Sequence, residues 1–148
     1  MKIRRTTIAM SILAHLLAWA AFLWLVFWPN FYQGTTIVST GPDGSGGREV
    51  PFSASMLEVN GRGVLIPLLV PVALTALGVL TAVNRNYADR RNQALLWITA
   101  VLLAVFCGLA LFSIGMFYLP ATLALILAAV VVTAGPLRNQ RRRDRPAR

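Results

Sequence analysis

The sequence predicts an all-α membrane protein: a four-transmembrane-helix bundle with a small extracytoplasmic β-hairpin loop between helices 1 and 2. Three observations carry that expectation. The 148 residues are 57% apolar and only 13% charged, whereas soluble domains average about a quarter charged. Four apolar runs reach or approach the roughly 20 residues that a helix rising about 1.5 Å per residue needs to cross the hydrocarbon core. Basic residues flank those runs on one side far more than on the other. The spans are expected at about residues 6–28, 64–83, 94–118 and 120–134, within a transmembrane domain over residues 1–136, followed by a basic cytoplasmic tail over 137–148.

The first span follows Met1 to Arg5, a layout that a secretory signal peptide shares, and Ala18-Trp19-Ala20 resembles a cleavage site. Cutting there would expose the apolar end Phe22 to Trp28, and the run exceeds the about 7–15 residues of a signal core. An uncleaved helix is therefore favoured. Trp24, Phe27, Trp28, Phe31 and Tyr32 read as an aromatic belt where this helix leaves the membrane.

The loop over residues 29–63 has a β-branched run at Thr35 to Thr40 and a second β-prone run at Val50 to Val59, separated by the glycine-rich stretch Gly41 to Gly47. That pattern predicts a hairpin. A lone two-stranded hairpin is marginal in water, so it is expected to rest on the helix ends or on a partner. Asn60-Gly61-Arg62-Gly63 then turns the chain back into the membrane.

In the second span Pro67 and Pro71 lie four residues apart, on one helical face. Pro67 fits the first turn, but an interior Pro71 removes a helical hydrogen bond and predicts a kink. The pair is a candidate cavity or hinge element, with packing as the plainer reading. In the third span Ala100, Ala104 and Gly108 form a small-residue stripe, and in the fourth Ala124 and Ala128 repeat it. Such stripes let helix backbones approach closely. Pro120 suits the first position of the fourth helix, which makes the last two spans a tight helical hairpin.

Charge sets direction. With four spans, Lys2, Arg4, Arg5, Arg85, Arg90, Arg91 and the six arginines of the tail share one side. The long loop has only Arg48 and Arg62, against Asp43, Glu49 and Glu58. The positive-inside rule places both termini in the cytoplasm of a cell whose inner membrane holds the chain. The basic residues thus report topology, and the net charge of +9 does not point to nucleic acid. The expected partners are the bilayer, anionic lipid at the cytoplasmic face, and a protein partner or a further copy of the chain.

His15 is the one titratable side chain of its kind inside a span, and intramembrane ionisable residues are functional candidates because unpaired burial is costly. At its depth lie Thr75 and Thr99, with Ser11 one turn below. A neutral imidazole bonded to one of these hydroxyls is the structural reading, and a proton relay the functional one. The spans contain no carboxylate, which disfavours proton-coupled export at a membrane-embedded glutamate. The single Cys107 and single histidine leave no zinc or bis-histidine haem site within one chain. No phosphate loop or nucleophile triad is recognisable, so neither enzyme activity nor a cofactor or metal is expected.

Leu57-Glu58-Val59-Asn60-Gly61 followed by Pro67 and Pro71, and Ser113-Ile114-Gly115-Met116-Phe117-Tyr118-Leu119-Pro120, resemble a recurring pattern in small bacterial four-span membrane proteins of unassigned function. The resemblance implies a bacterial host and a four-helix fold, and no activity. The expected function is a non-catalytic accessory or assembly subunit of a membrane complex. The alternative, a small transporter or channel for a solute or proton, rests on His15, Pro67 and Pro71.

Overall fold

The computed structural model describes residues 2–39, 47–84 and 89–143. Helix α1 is Lys2–Phe27, strands β1 and β2 are Tyr32–Ser39 and Gly47–Ala54, and a short helix α2 is Met56–Asn60. Helices α3, α4 and α5 are Leu65–Val83, Arg90–Leu109 and Met116–Arg143. Among the described residues four helices are long and apolar enough to cross a membrane, and the two strands form one antiparallel sheet.

Side-chain contacts give the helix directions. Arg4 at the start of α1 donates to the Val83 carbonyl at the end of α3, at 3.3 Å. Trp97 near the start of α4 donates to Thr133 late in α5, at 3.0 Å. Both pairs are therefore antiparallel, and the chain begins and finishes its spans at the end of the bundle opposite the hairpin.

Helix α5 is the centre of the bundle: about half of the apolar stretch it contributes is buried, against about a third or less for α1, α3 and α4. Its buried stripe steps through Tyr118, Ala121, Leu125, Ala128 and Val132, so Ala124 and Ala128 both lie inside. Helix α1 meets it with Ser11, Ala14 and Ala18, all fully buried. This second small-residue stripe, at spacings of three and four, brings the two backbones together. Gly78 on α3 instead makes room for a side chain of α5, since a Cβ there would stand 2.6 Å from Leu125 Cδ1.

Several details depart from the expected pattern. The third and fourth spans separate at Ala110–Gly115 rather than at residue 119. Ser113 leaves helical geometry (φ −128°, ψ −109°), and the amides of Ser113 and Gly115 both donate to the Ala110 carbonyl, at 2.9 and 2.7 Å. Pro120 therefore stands inside α5 and not at its first position. On α4 the packed face runs through Leu96, Ala100, Leu103 and Cys107. Ala104 is half-buried and Gly108 is exposed, because the true seam alternates steps of three and four and rotates away from a strict four-residue stripe. Pro67 is exposed while Pro71 is buried, so the two prolines do not share surroundings, and α3 continues through Pro71. Helix α5 runs to Arg143, taking into the helix residues expected to belong to the basic tail.

The hairpin pairs Tyr32 with Ala54 at its root and Ser39 with Gly47 at its far end; of the expected tip from Gly41 to Gly47, Gly47 opens β2 and the rest lies outside the described residues. The second β-prone run is half strand and half helix, because Ser55 caps α2. The Ser55 hydroxyl accepts the Glu58 amide at 3.3 Å, and the Glu58 carboxylate accepts the Ser55 amide at 2.6 Å. This is a capping box. The hydrogen bonds from the Ser55 backbone and then its hydroxyl hold the Glu58 carboxyl below the usual carboxylate range. A carboxyl with a lowered folded value stabilises above its unfolded value, and that contribution is lost as pH falls through the lowered one. Acidification should therefore fray α2 before the bundle, read as lower protection of the Glu58 and Val59 amides relative to their intrinsic exchange rates at each pH. Ser55→Ala should fray it at neutral pH, with a cost on the order of 1 kcal/mol.

Candidate functional site

His15 is half-buried on α1, and both of its ring nitrogens are engaged. Trp19, one turn later, donates its indole N–H to Nε2 at 3.1 Å. Indole nitrogen is a donor only, so Nε2 holds a lone pair and the ring proton of a neutral imidazole sits on Nδ1. From there it donates to Thr75 Oγ1 on α3, at 3.1 Å. The Thr75 hydroxyl passes its own proton to the carbonyls of Val72 (2.9 Å) and Pro71 (3.0 Å). The result is a one-way chain of donors: indole, imidazole and hydroxyl to backbone, tying α1 to α3.

Of the partners expected at this depth, Thr75 is engaged and Thr99 is not; Thr99 donates to Leu96 on its own helix at 2.9 Å. Ser11 is fully buried and its hydroxyl has no partner among the described residues. Trp19 was not legible as a partner, although its spacing of four residues from His15 was the available signal.

Chemically the His15 chain is a tie. Hydrogen bonds between membrane helices measured by double-mutant cycles average about 0.6 kcal/mol, with a maximum near 1.7. His15→Leu and Thr75→Val should each destabilise the bundle, and the double variant should reveal a coupling in that range in a thermal or mixed-micelle unfolding series. Strict additivity would mean that the contact contributes nothing.

Pro71 acts at the same level. It has no N–H to donate to the Pro67 carbonyl, and other carbonyls of α3 around it receive side-chain donors. Tyr118 of α5 is fully buried and donates its hydroxyl to the Leu68 carbonyl at 2.9 Å. Thr75 supplies the Pro71 and Val72 carbonyls as described. Pro71 thus lies inside the packing of α3 against its neighbours, whereas Pro67 faces outward.

Two further features went unread in the sequence. An apolar groove of about 360 Å³ opens on the side of the bundle between α1 and α5, lined by Leu17, Ala20, Ala21, Trp24, Phe117 and Pro120. The aromatic belt divides: Trp24 and Trp28 stack with ring centres 4.1 Å apart on the exterior, whereas Phe31 and Tyr32 fold inward against the bundle core.

The hairpin is the other candidate. Beyond its root, both strands are exposed from Gln33 to Val38 and from Gly47 to Ser53. Its root is tied down: Ser53 donates to the Pro29 carbonyl (3.0 Å) and to Asn30 (2.6 Å), and Asn60 donates to the Tyr32 hydroxyl at 3.3 Å. Ala54 and Met56 are buried. The two strand edges differ. β2 carries Pro51 and the charged pair Arg48 and Glu49, whereas β1 has neither proline nor charge. Among the described residues no three of His, Cys, Asp or Glu come together. Searches of protein-family models, of curated proteins and of solved structures find no match for this chain.

Proposed function

We propose that this chain is a non-catalytic accessory or assembly subunit of a membrane complex. It spans the inner membrane four times with both termini in the cytoplasm, as the positive-inside distribution of Lys and Arg argues. Its extracytoplasmic hairpin accepts a strand of a partner protein on the free edge of β1. The observation that carries this reading is the inequality of the two edges. Proteins guard exposed strand edges with proline and charge, and a proline in a strand turns its missing N–H to the solvent side. Pro51 with its charged neighbours therefore guards β2, while β1 stays open for strand addition. The engagement of both His15 nitrogens within the bundle gives the transporter alternative less support.

Thr35 is the cross-strand partner of Pro51, so Thr35→Pro removes an outward donor while sparing the hairpin's own ladder. Purified in mild detergent, the wild-type protein should bring a reproducible partner at fixed stoichiometry, and Thr35→Pro should lose it at unchanged yield. Recovery of the wild-type chain alone and monomeric would sink the proposal.

A further inference from the structure

The register of the hairpin sorts its side chains into two unlike faces. Residues directly opposite one another project to the same side, so Gly34 with Phe52, Thr36 with Val50, and Val38 with Arg48 share one face. The other face holds Gln33 with Ser53, Thr35 with Pro51, and Ile37 with Glu49. The close approach of Ile37 Cγ2 to Gly47, 2.6 Å from where a Cβ would stand, fits this parity. The first face is apolar with a single cation; the second is mostly polar and carries the anion.

The apolar face also joins the bundle. Its root pair, Tyr32 and Ala54, is the one that packs on the helices: Ala54 is buried and Tyr32 lies against the core. The root stands at a level where the bundle surface is still apolar. Phe31, just before β1, meets Phe117 with ring centres 6.1 Å apart. Phe117 follows directly on the α4–α5 turn, whose residues Leu109 to Met116 include no charge and expose Leu109 at 88% and Phe112 completely. A turn so apolar belongs in hydrocarbon or its interface, and the exposed Trp24, Phe27 and Trp28 belong to the same belt.

We propose that the hairpin lies along the bilayer surface, with Val38, Val50 and Phe52 in the lipid interface and Arg48 on the lipid phosphates. Charge favours lipid as the occupant: the cation shares the apolar face and Glu49 is turned away from it. Arginine on an apolar face reaches headgroups by extending its charged end, and anionic headgroups attract it further. This inference stands apart from strand addition on β1, because face and edge are different surfaces.

The test uses the full chain in a Cys107→Ala background, with single spin-labelled cysteines at Val38, Val50, Thr35 and Glu49, in nanodiscs of phosphatidylglycerol and phosphatidylcholine that hold no other protein. Labels at 38 and 50 should be severalfold more accessible to oxygen, relative to a water-soluble nickel complex, than labels at 35 and 49. Arg48→Glu should narrow that difference in the anionic discs while leaving the helical circular dichroism unchanged. Equal aqueous accessibility at all four positions would overturn the proposal. Protection of 38 and 50 that appears only in native membranes would also overturn it, by showing that a protein rather than lipid covers the face. Because the discs contain no partner, loss of a co-purifying protein in the Thr35→Pro experiment leaves this result untouched, and the reverse holds.

Discussion

Gly115→Ala should disrupt the α4–α5 hairpin more than any other single methyl addition considered for this chain. A Cβ at position 115 would stand 2.5 Å from the Cys107 carbonyl oxygen and 2.7 Å from both the carbonyl carbon and oxygen of Ala110. All three atoms are backbone, so no side chain can swing aside. The Gly115 amide also donates to Ala110 at 2.7 Å, which holds the glycine against the turn. Overpacking of this kind costs roughly 1–3 kcal/mol and occasionally more. The expected result is a clear loss of unfolding midpoint in mixed micelles, with reduced yield. Gly108→Ala serves as the control: nothing stands within 4 Å of its Cβ position, so it should leave the midpoint unchanged or slightly raised through helix propensity. A Gly115→Ala protein as stable as wild type would mean that the turn can be rebuilt without its close contact.

Tyr118→Ala should be the most damaging truncation of a buried side chain. Tyr118 is fully buried at the meeting of α3, α4 and α5, among a cluster that includes Leu68, Cys107 and Ile114. Removing a large buried aromatic costs about 3–5 kcal/mol. Tyr118→Phe separates the ring from the hydroxyl: it keeps the packing, edge-on to Phe106 with ring centres 6.3 Å apart, and loses only the 2.9 Å bond to Leu68. That variant should lose about 0.6 kcal/mol, the average for such bonds in membranes. A Phe variant as damaged as the Ala variant would show instead that the Leu68 carbonyl, next to the gap left by Pro71, depends on the hydroxyl.

The candidate site was partly legible beforehand. Depth along the helices pointed from His15 to both Thr75 and Thr99, because both lie near its level. Helix rotation then separated them: Thr75 turns toward α1, while Thr99 bonds within its own helix. The hairpin was legible from β-branched runs on either side of a glycine-rich tip. Its second strand stopped early because Ser55 and Glu58, three residues apart, form a capping box that outweighs the β-prone character of Val59. The small-residue stripes were read on α4 and α5 by spacing alone. The tertiary structure added Ser11, Ala14 and Ala18 on α1 and Gly78 on α3, and turned Gly108 outward.

By itself the sequence determined four helices long and apolar enough to span a membrane, a hairpin between the first two, and an uneven distribution of charge. These are properties of composition and order along one dimension: run length, alternation, and the positions of arginine. The tertiary structure alone decided where the third and fourth spans divide, which faces pack, which hydroxyl meets His15, and which face of the hairpin is apolar. The physical reason is that these depend on how each helix is rotated about its axis and on how the strands register, and an almost uniformly apolar helix carries little pattern from which either could be read.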